Sequence, residues 1–278
     1  MPRRTPASPE PGTAPRPGAP RAPAGVTLVV PVLDDATHLD RLLRSVAAQT
    51  RAPDAVVVVD NGSRDGSAAV ARSHGATVLH EPRRGIWPAA ARGYDAVRTD
   101  VVARCDADTV LPRGWVERVA ARFGTEPDLA ALTGPADFAD VPRALGHVGG
   151  TAYLGAYFLL VGAMVGGTTL FGSNLALRRD VWRAVREDVH DDVPEIHDDM
   201  DLSYHVRGRG RVERDAALRV SVSGRPLVSL RGLAARGAWG ARTSMLHAPG
   251  LGPRLERRWA GRAAAPLTVR GLPGNHRW

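Results

Sequence analysis

A chain of 278 residues with 44% hydrophobic and 24% charged side chains has the balance of a globular protein with a sizeable core, which excludes a wholly disordered or fibrous molecule. The net charge is +8, yet all 37 basic residues are Arg and no basic stripe interleaved with aromatics accompanies them. Nucleic acid is therefore set aside as a partner, while an anionic membrane surface is kept. The lone cysteine, Cys105, excludes an intramolecular disulfide and a Cys-based zinc site. No apolar run precedes Val26, so a secretory leader is not expected and the chemistry is placed in the cytoplasm, facing the inner side of the plasma membrane where it meets one.

Residues 1–24 are dominated by Pro, Ala, Arg and Gly and read as a disordered tail. From Val26 the pattern changes to short β-branched runs alternating with helical periodicity, the signature of a mostly parallel sheet with flanking crossover helices. A first strand is predicted over Val26–Val32. Leu39, Leu42, Leu43, Val46 and Ala47 then fall on one helical face, with Thr37 and Asp40 spaced as a capping box. Ala55–Val59 is a continuous apolar run suited to a strand buried on both faces. A third strand is expected at Thr77–Leu79. The next helix carries Ile86, Ala89, Ala90, Gly93, Tyr94 and Val97 on one stripe, and Val101–Cys105 reads as a fourth strand. The 34 positions Ala144–Leu177 hold no Asp, Glu, Lys or Arg. That stretch is Gly-rich, so an interfacial or core helix is preferred to a membrane span or to mixed loop and strand. Residues 223–278 form an extension with no clear period.

In open α/β sheets ligands bind beyond the carboxyl ends of the strands, and those ends carry aspartate here: Asp34 and Asp35, Asp60, and Asp106 with Asp108. Asp106-Ala107-Asp108 offers hard oxygen ligands for Mg2+ or Mn2+, although an isolated Asp-x-Asp reads more simply as a polar turn. Asp60-Asn61-Gly62-Ser63-Arg64-Asp65-Gly66 is either an ordinary turn, with Ser63 or Asp65 capping the next helix, or a place where a nucleotide approaches the backbone. The acids Asp198, Asp199 and Asp201 suit a helix start, where carboxylates meet the positive end of the dipole, or supply a general base. A hydrolytic metal site built from His190, Asp191, Asp192, His197 and Asp198 is disfavoured because the ligand spacing is irregular.

Taken together and in order, Val26–Pro31 with Asp34, Asp60–Gly66, Asp106-Ala-Asp108, Gly172-Ser173-Asn174 and Asp198-Asp199-Met-Asp201-Leu202 resemble glycosyltransferase family 2 over about Val26 to Arg207. The resemblance implies an α/β fold of GT-A type over residues 25–222, with a Rossmann-like, mostly parallel sheet and an acceptor-side C-terminal part. It also implies an inverting transfer from a nucleoside-diphosphate sugar with a divalent cation. By matching position it places Pro31, Asp34, Asp60 and Asp106 at the nucleotide, and Arg84, Gly85 and Arg92, aligned loosely, in the region that contacts base or phosphate. Asp106 and Asp108 fall at the metal, Gly172, Ser173 and Asn174 beneath the donor sugar and acceptor, and Asp199 at the catalytic base. Asp198 stands where the family commonly has glutamate. The acceptor implied is a glycan or a lipid-linked molecule of the cell envelope.

The Gln-x-x-Arg-Trp motif of processive synthases is incomplete, since Leu255 precedes Arg258-Trp259 where glutamine would stand, so single-sugar transfer is expected. A non-catalytic nucleotide-sugar-binding protein would not need Asp108 and Asp199. A nucleotidyltransferase would carry a Gly-rich basic loop where Pro31–Asp35 stands.

Overall fold

A computed structural model describes residues 22–139, 143–224 and 230–248. Residues 1–21, most of the predicted tail, lie outside that range, as do Leu255, Arg258 and Trp259. Ala24, counted with the tail in the sequence reading, is instead buried, and its amide donates to the Ala120 carbonyl at 3.0 Å.

The N-terminal half follows the predicted alternation: β1 (Val26–Val32), α1 (Ala36–Ala47), β2 (Ala55–Asp60), α2 (Ser67–Ser73), β3 (Thr77–His80), α3 (Ile86–Ala96), β4 (Val101–Arg104) and α4 (Trp115–Thr125). Then come β5 (Leu129–Thr133), β6 (Ala136–Phe138), α5 (Arg143–Val165), β7 (Leu175–Arg178), α6 (Arg179–Val185), α7 (Asp198–Val206), β8 (Arg211–Arg214), β9 (Val220–Val222) and α8 (Leu230–Leu246). The main sheet has the order β3-β2-β1-β4-β7-β5-β8. Its pairs β3–β2, β2–β1, β1–β4 and β5–β8 are parallel, and β7 runs antiparallel between β4 and β5. A small parallel pair, β6 with β9, lies apart from it.

Strand alternation divides the core into two layers. Leu28, Val30 and Val32 of β1 pack with Leu39, Leu42 and Leu43 of α1 and with Trp115, Val119 and Phe123 of α4. Val29, on the opposite face, packs with Trp87 and Tyr94 of α3, Trp182 of α6 and Leu202 of α7. Gly93 permits that second layer to close, because a Cβ there would stand 2.3 Å from Cγ1 of Val29.

The expected capping box is not formed. The N-cap of α1 is Asp35, and Asp40 instead pairs with Arg44 one turn on and with His74 of the segment after α2. The amide of Ala36 is satisfied from a distance by Asp65 Oδ2 at 2.8 Å, while Oδ1 of the same carboxylate accepts the amide of Ser67 at 3.0 Å. One carboxylate thus serves the positive ends of both α1 and α2.

The uncharged stretch divides into α5, a loop and β7, so it combines two of the expected forms, helix and loop with strand. Among the described residues no helix is long and apolar enough to cross a membrane. Leu159, Leu160 and Met164 of α5 are nevertheless exposed, at 72%, 64% and 47%. The C-terminal extension, unassigned from sequence, contains α8 within its described part.

Candidate active site

The loops after β1 and β2 lock into one another. Asp34, a non-glycine residue at φ 49°, donates its amide to Ser63 Oγ at 3.0 Å and accepts the Arg64 amide at 2.6 Å. Asp60 Oδ1 accepts the Ser63 amide at 3.0 Å. Buried Asn61 donates to the carbonyls of Glu81 and Arg83 and accepts the Gly85 amide, while the Arg84 guanidinium donates back to the Asn61 carbonyl at 2.9 Å. Asp34, Asp60 and Arg84 therefore gather around one rim at the carboxyl ends of β1 and β2. Pro31 lies within β1, paired with Val59, and supports that rim from below. Gly85 enters α3 and Arg92 is exposed along it.

A second set of groups meets at the end of β4. Arg104, 1% exposed, projects from the middle of the sheet and donates to two carboxylates, Asp198 on α7 and Asp106 Oδ1, the latter at 2.9 Å. The other Asp106 oxygen accepts the Ser173 hydroxyl at 2.6 Å. Next to Ser173, the Gly172 amide donates to Asp199 Oδ2 at 3.0 Å. A Cβ on Gly172 would come within 3.1 Å of the Arg104 guanidinium, so the loop packs closely against that cation and a side chain there would make it shift. The Asp106 turn, the Gly172-Ser173 loop and the start of α7 are thereby joined through one buried Arg. Asp108 stands half-buried in the same turn as Asp106.

The acids of α7 separate as helical geometry requires, successive residues turning by about 100°. Asp198 faces Arg104, and Asp199 faces Gly172 and the hydroxyl of Tyr157 on α5. Asp201 turns to the side of the helix away from Asp199, where Trp87 Nε1 and three histidines surround it. Burial pushes the Asp198 carboxyl up, against the pull of Arg104, and the neighbouring Asp199 adds to the rise. Burial also tends to raise Asp201, but its histidine partners outweigh that and hold it well below the usual carboxylate range.

One position differs from the sequence expectation. Asn174 is turned into the core, where its amide accepts Trp115 Nε1 at 2.9 Å and donates to the carbonyls of Pro135 and Leu218. Only Gly172 and Ser173 of that triplet meet the acidic cluster. The disfavoured set His190, Asp191, Asp192, His197 and Asp198 does not converge: His197 pairs with the Arg236 carbonyl, and Asp191 with Arg83 and Arg186. Arg104 and Tyr157 escaped the sequence reading. A charged residue inside the apolar run of β4, just before an acidic turn, was the available sign for the first.

Asp106 and Asp108 present carboxylate oxygens at a strand end, a donor set suited to a hard, six-coordinate cation such as Mg2+ or Mn2+. The contacts with Arg104 and Ser173 hold the Asp106 carboxylate in one orientation.

Comparison with known proteins follows the same outline. An uncharacterized glycosyltransferase of Mycobacterium tuberculosis is 38% identical over 104 residues, covering 37% of this chain and 46% of that one. The pre-mycofactocin glycosyltransferase of the same species is 37% identical over 123 residues, covering 41% of this chain and 25% of its own. The chain thus spans less than half the length of these relatives. The fold is similar to that of the glucosyl-3-phosphoglycerate synthase of M. tuberculosis, solved with Mn2+, uridine diphosphate and phosphoglyceric acid. The TM-score is 0.59 at 17% identity, with 90% of this chain and 82% of that one covered, which shows a shared GT-A architecture. Residues 27–183 match the model of Glycosyl transferase family 2, more than half of the chain, and the protein belongs to that family.

Proposed function

We propose that this protein transfers a single sugar from a nucleoside-diphosphate sugar to an acceptor hydroxyl, with inversion at the anomeric carbon. The observation that carries the reading is the contact network Asp106–Ser173, Gly172–Asp199 and Asp106–Arg104–Asp198, which joins the acidic turn after β4 and the buried carboxylates of α7 in one site.

In this reading Asp34, Asp60 and Arg84 line the nucleotide rim. Asp106 and Asp108 would hold Mg2+ or Mn2+, which supplies positive charge against the departing diphosphate. Asp199 is the general base. An ionised carboxylate offers about four acceptor positions, and Asp199 uses them for the Tyr157 hydroxyl and Gly172 amide on Oδ2 and the Met200 amide on Oδ1. A remaining position on Oδ1 would receive the acceptor hydroxyl proton as the oxygen attacks the sugar. Donors on the other positions hold the carboxylate still.

The apolar face of α5 supports an acceptor presented at a membrane surface, because exposed Leu159 and Leu160 lie just beyond Tyr157, which touches Asp199. A lipid-linked envelope precursor at the inner membrane face suits that placement. A soluble glycan acceptor would leave those leucines without a role.

The test is thermal stabilisation by UDP-, GDP- and dTDP-sugars with Mn2+. A ligand at 100 times its dissociation constant adds about 2.7 kcal/mol of stability. Uridine diphosphate comes first, because the fold neighbour binds it. A shift with one base that needs Mn2+ and disappears in Asp108→Ala is expected. No shift with any nucleotide would contradict the reading.

A further inference from the structure

One group of titratable side chains has no part in this chemistry. Asp201 on α7 is fully buried, and its Oδ1 lies 2.6 Å from Nδ1 of His190, 2.9 Å from Nε2 of His247 and 3.6 Å from Nε2 of His205. One ligand atom from each of the four residues lies within 4.8 Å of all the others. The histidine side chains are only 13%, 11% and 16% exposed.

Protons alone account poorly for this arrangement. Three imidazole nitrogens address a single carboxylate oxygen, yet 3.6 Å is too long for a hydrogen bond, and Nε2 of His205 is buried without any hydrogen-bond partner. Three imidazolium ions this close would repel one another around a single negative charge. A dication at the centre resolves both difficulties, because neutral imidazole and carboxylate then each offer a lone pair inward.

We propose that His190, Asp201, His205 and His247 form a closed, four-coordinate site for a transition-metal dication, with Zn2+ as its preferred occupant. Metal–ligand bonds of about 2.0–2.1 Å in a tetrahedron separate the ligand atoms by about 3.3 Å. The distances of 2.6, 2.9 and 3.6 Å bracket that value, so small side-chain rotations suffice. The donors are imidazole-rich, unlike the oxygen-only pair Asp106 and Asp108, and select Zn2+ over Mg2+ or Mn2+.

The surroundings are those of a built site. Oδ2 of Asp201 accepts Trp87 Nε1 and the His190 amide, both at 3.0 Å, which orients the carboxylate. The Tyr204 ring stacks on His247 at 4.0 Å and 14°, fixing that imidazole. The ion would join the segment after α6, two residues one turn apart on α7, and the residue that follows α8. Because α7 also carries Asp198 and Asp199, the site would fix the rotation of the helix that presents the acidic pair. The proposal does not depend on the sugar-transfer reading.

The test uses the full chain, stripped with a chelator and reloaded with Co2+. Expected are one Co2+ per chain with the intense visible bands of four-coordinate cobalt, displaced by Zn2+ and retained in Asp108→Ala. Those bands should be lost in His205→Ala and in His247→Ala, with far-UV circular dichroism reporting whether the variants fold. If either fails to fold, the wild-type bands and a Zn2+-dependent rise in Tm of several degrees decide. Absence of visible bands in the wild type, their survival in both folded histidine variants, or their loss in Asp108→Ala would overturn the proposal.

Discussion

The hydroxyl of Tyr157 lies 3.0 Å from Asp199 Oδ2 and 2.9 Å from the Leu170 carbonyl, two acceptors for a single proton. Burial and the charge of Asp199 keep the phenol well above its usual pKa, so it stays protonated. While Asp199 is ionised, the proton belongs on Oδ2. Once Asp199 has taken a proton on Oδ1, its Oδ2 still accepts from Tyr157. The pair can therefore satisfy both protonation states of a general base without moving heavy atoms.

Tyr157→Phe removes that hydrogen bond but leaves the nucleotide rim intact. A hydrogen bond to a charged group contributes about 1.5–3 kcal/mol, so kcat is expected to fall by roughly 10- to 100-fold with the donor KM unchanged. Steady-state kinetics with varied donor checks this, and a raised donor KM with kcat unchanged would assign Tyr157 to binding instead.

Arg104 holds two carboxylates from inside the sheet. Removing one partner of a buried ion pair costs about 3–5 kcal/mol, because the other charge remains buried. Arg104→Gln should show a loss of that order in urea denaturation. The double variant with Asp198→Asn should recover part of it, since the uncompensated carboxylate is then gone. Strictly additive losses would show that the two side chains are not coupled.

How much of this could be read in advance depended on range. The strands β1 and β2 and the helices α1 and α3 announce themselves through local periodicity, which is why their predicted spans differ from the observed ones by a residue or two. The loops at Asp34, Asp60 and Asp106 followed from their place at strand ends. Arg104 did not, because what permits a buried cation there is Asp198, 94 positions away. Tyr157 gave no sign of itself within a Gly-rich helix, and Asn174 looks like a loop residue until Trp115 and Leu218 are seen around it. The histidine cluster spans positions 190 to 247 with no shared period, so only the packing of α7 and α8 assembles it. The capping box at Thr37 failed because a distant carboxylate, Asp65, had taken over the helix start.

Asp215 gives a pH-dependent prediction. It follows β8 and accepts from Arg118 at 2.6 and 2.9 Å and from Arg122 at 2.9 Å. Burial tends to raise its pKa, but those guanidinium partners outweigh it and lower the folded-state value. A lowered folded-state pKa means the stabilisation is present above the unfolded value of about 3.9 and fades as pH falls through the folded value. Asp215→Asn should therefore be less stable by about 2 kcal/mol at neutral pH. The gap from wild type should close as the pH drops below about 4. Thermal melts from pH 7 to pH 2.5 check it, and a constant gap would contradict the ion-pair account.

The exposed face of α5 predicts that Leu159→Ser with Leu160→Ser weakens binding to vesicles containing anionic phospholipid. Burying each leucine in the interface contributes about 1.5–3 kcal/mol at most, so a loss of tenfold or more is expected in flotation assays. Transfer to a short soluble acceptor should be unaffected. Equal flotation by wild type and variant would remove the membrane from the acceptor side.

The central claim is that Asp199, held by Tyr157, Gly172 and Met200, takes the acceptor proton. The most direct measurement is single-turnover sugar transfer by Asp199→Asn beside calorimetric donor binding. The account predicts that donor affinity in the presence of Mn2+ is retained while transfer falls by about 10²–10⁴-fold, the usual range for losing a general base. Transfer near the wild-type rate by Asp199→Asn, with Asp198→Asn or Asp201→Asn inactive, would contradict it.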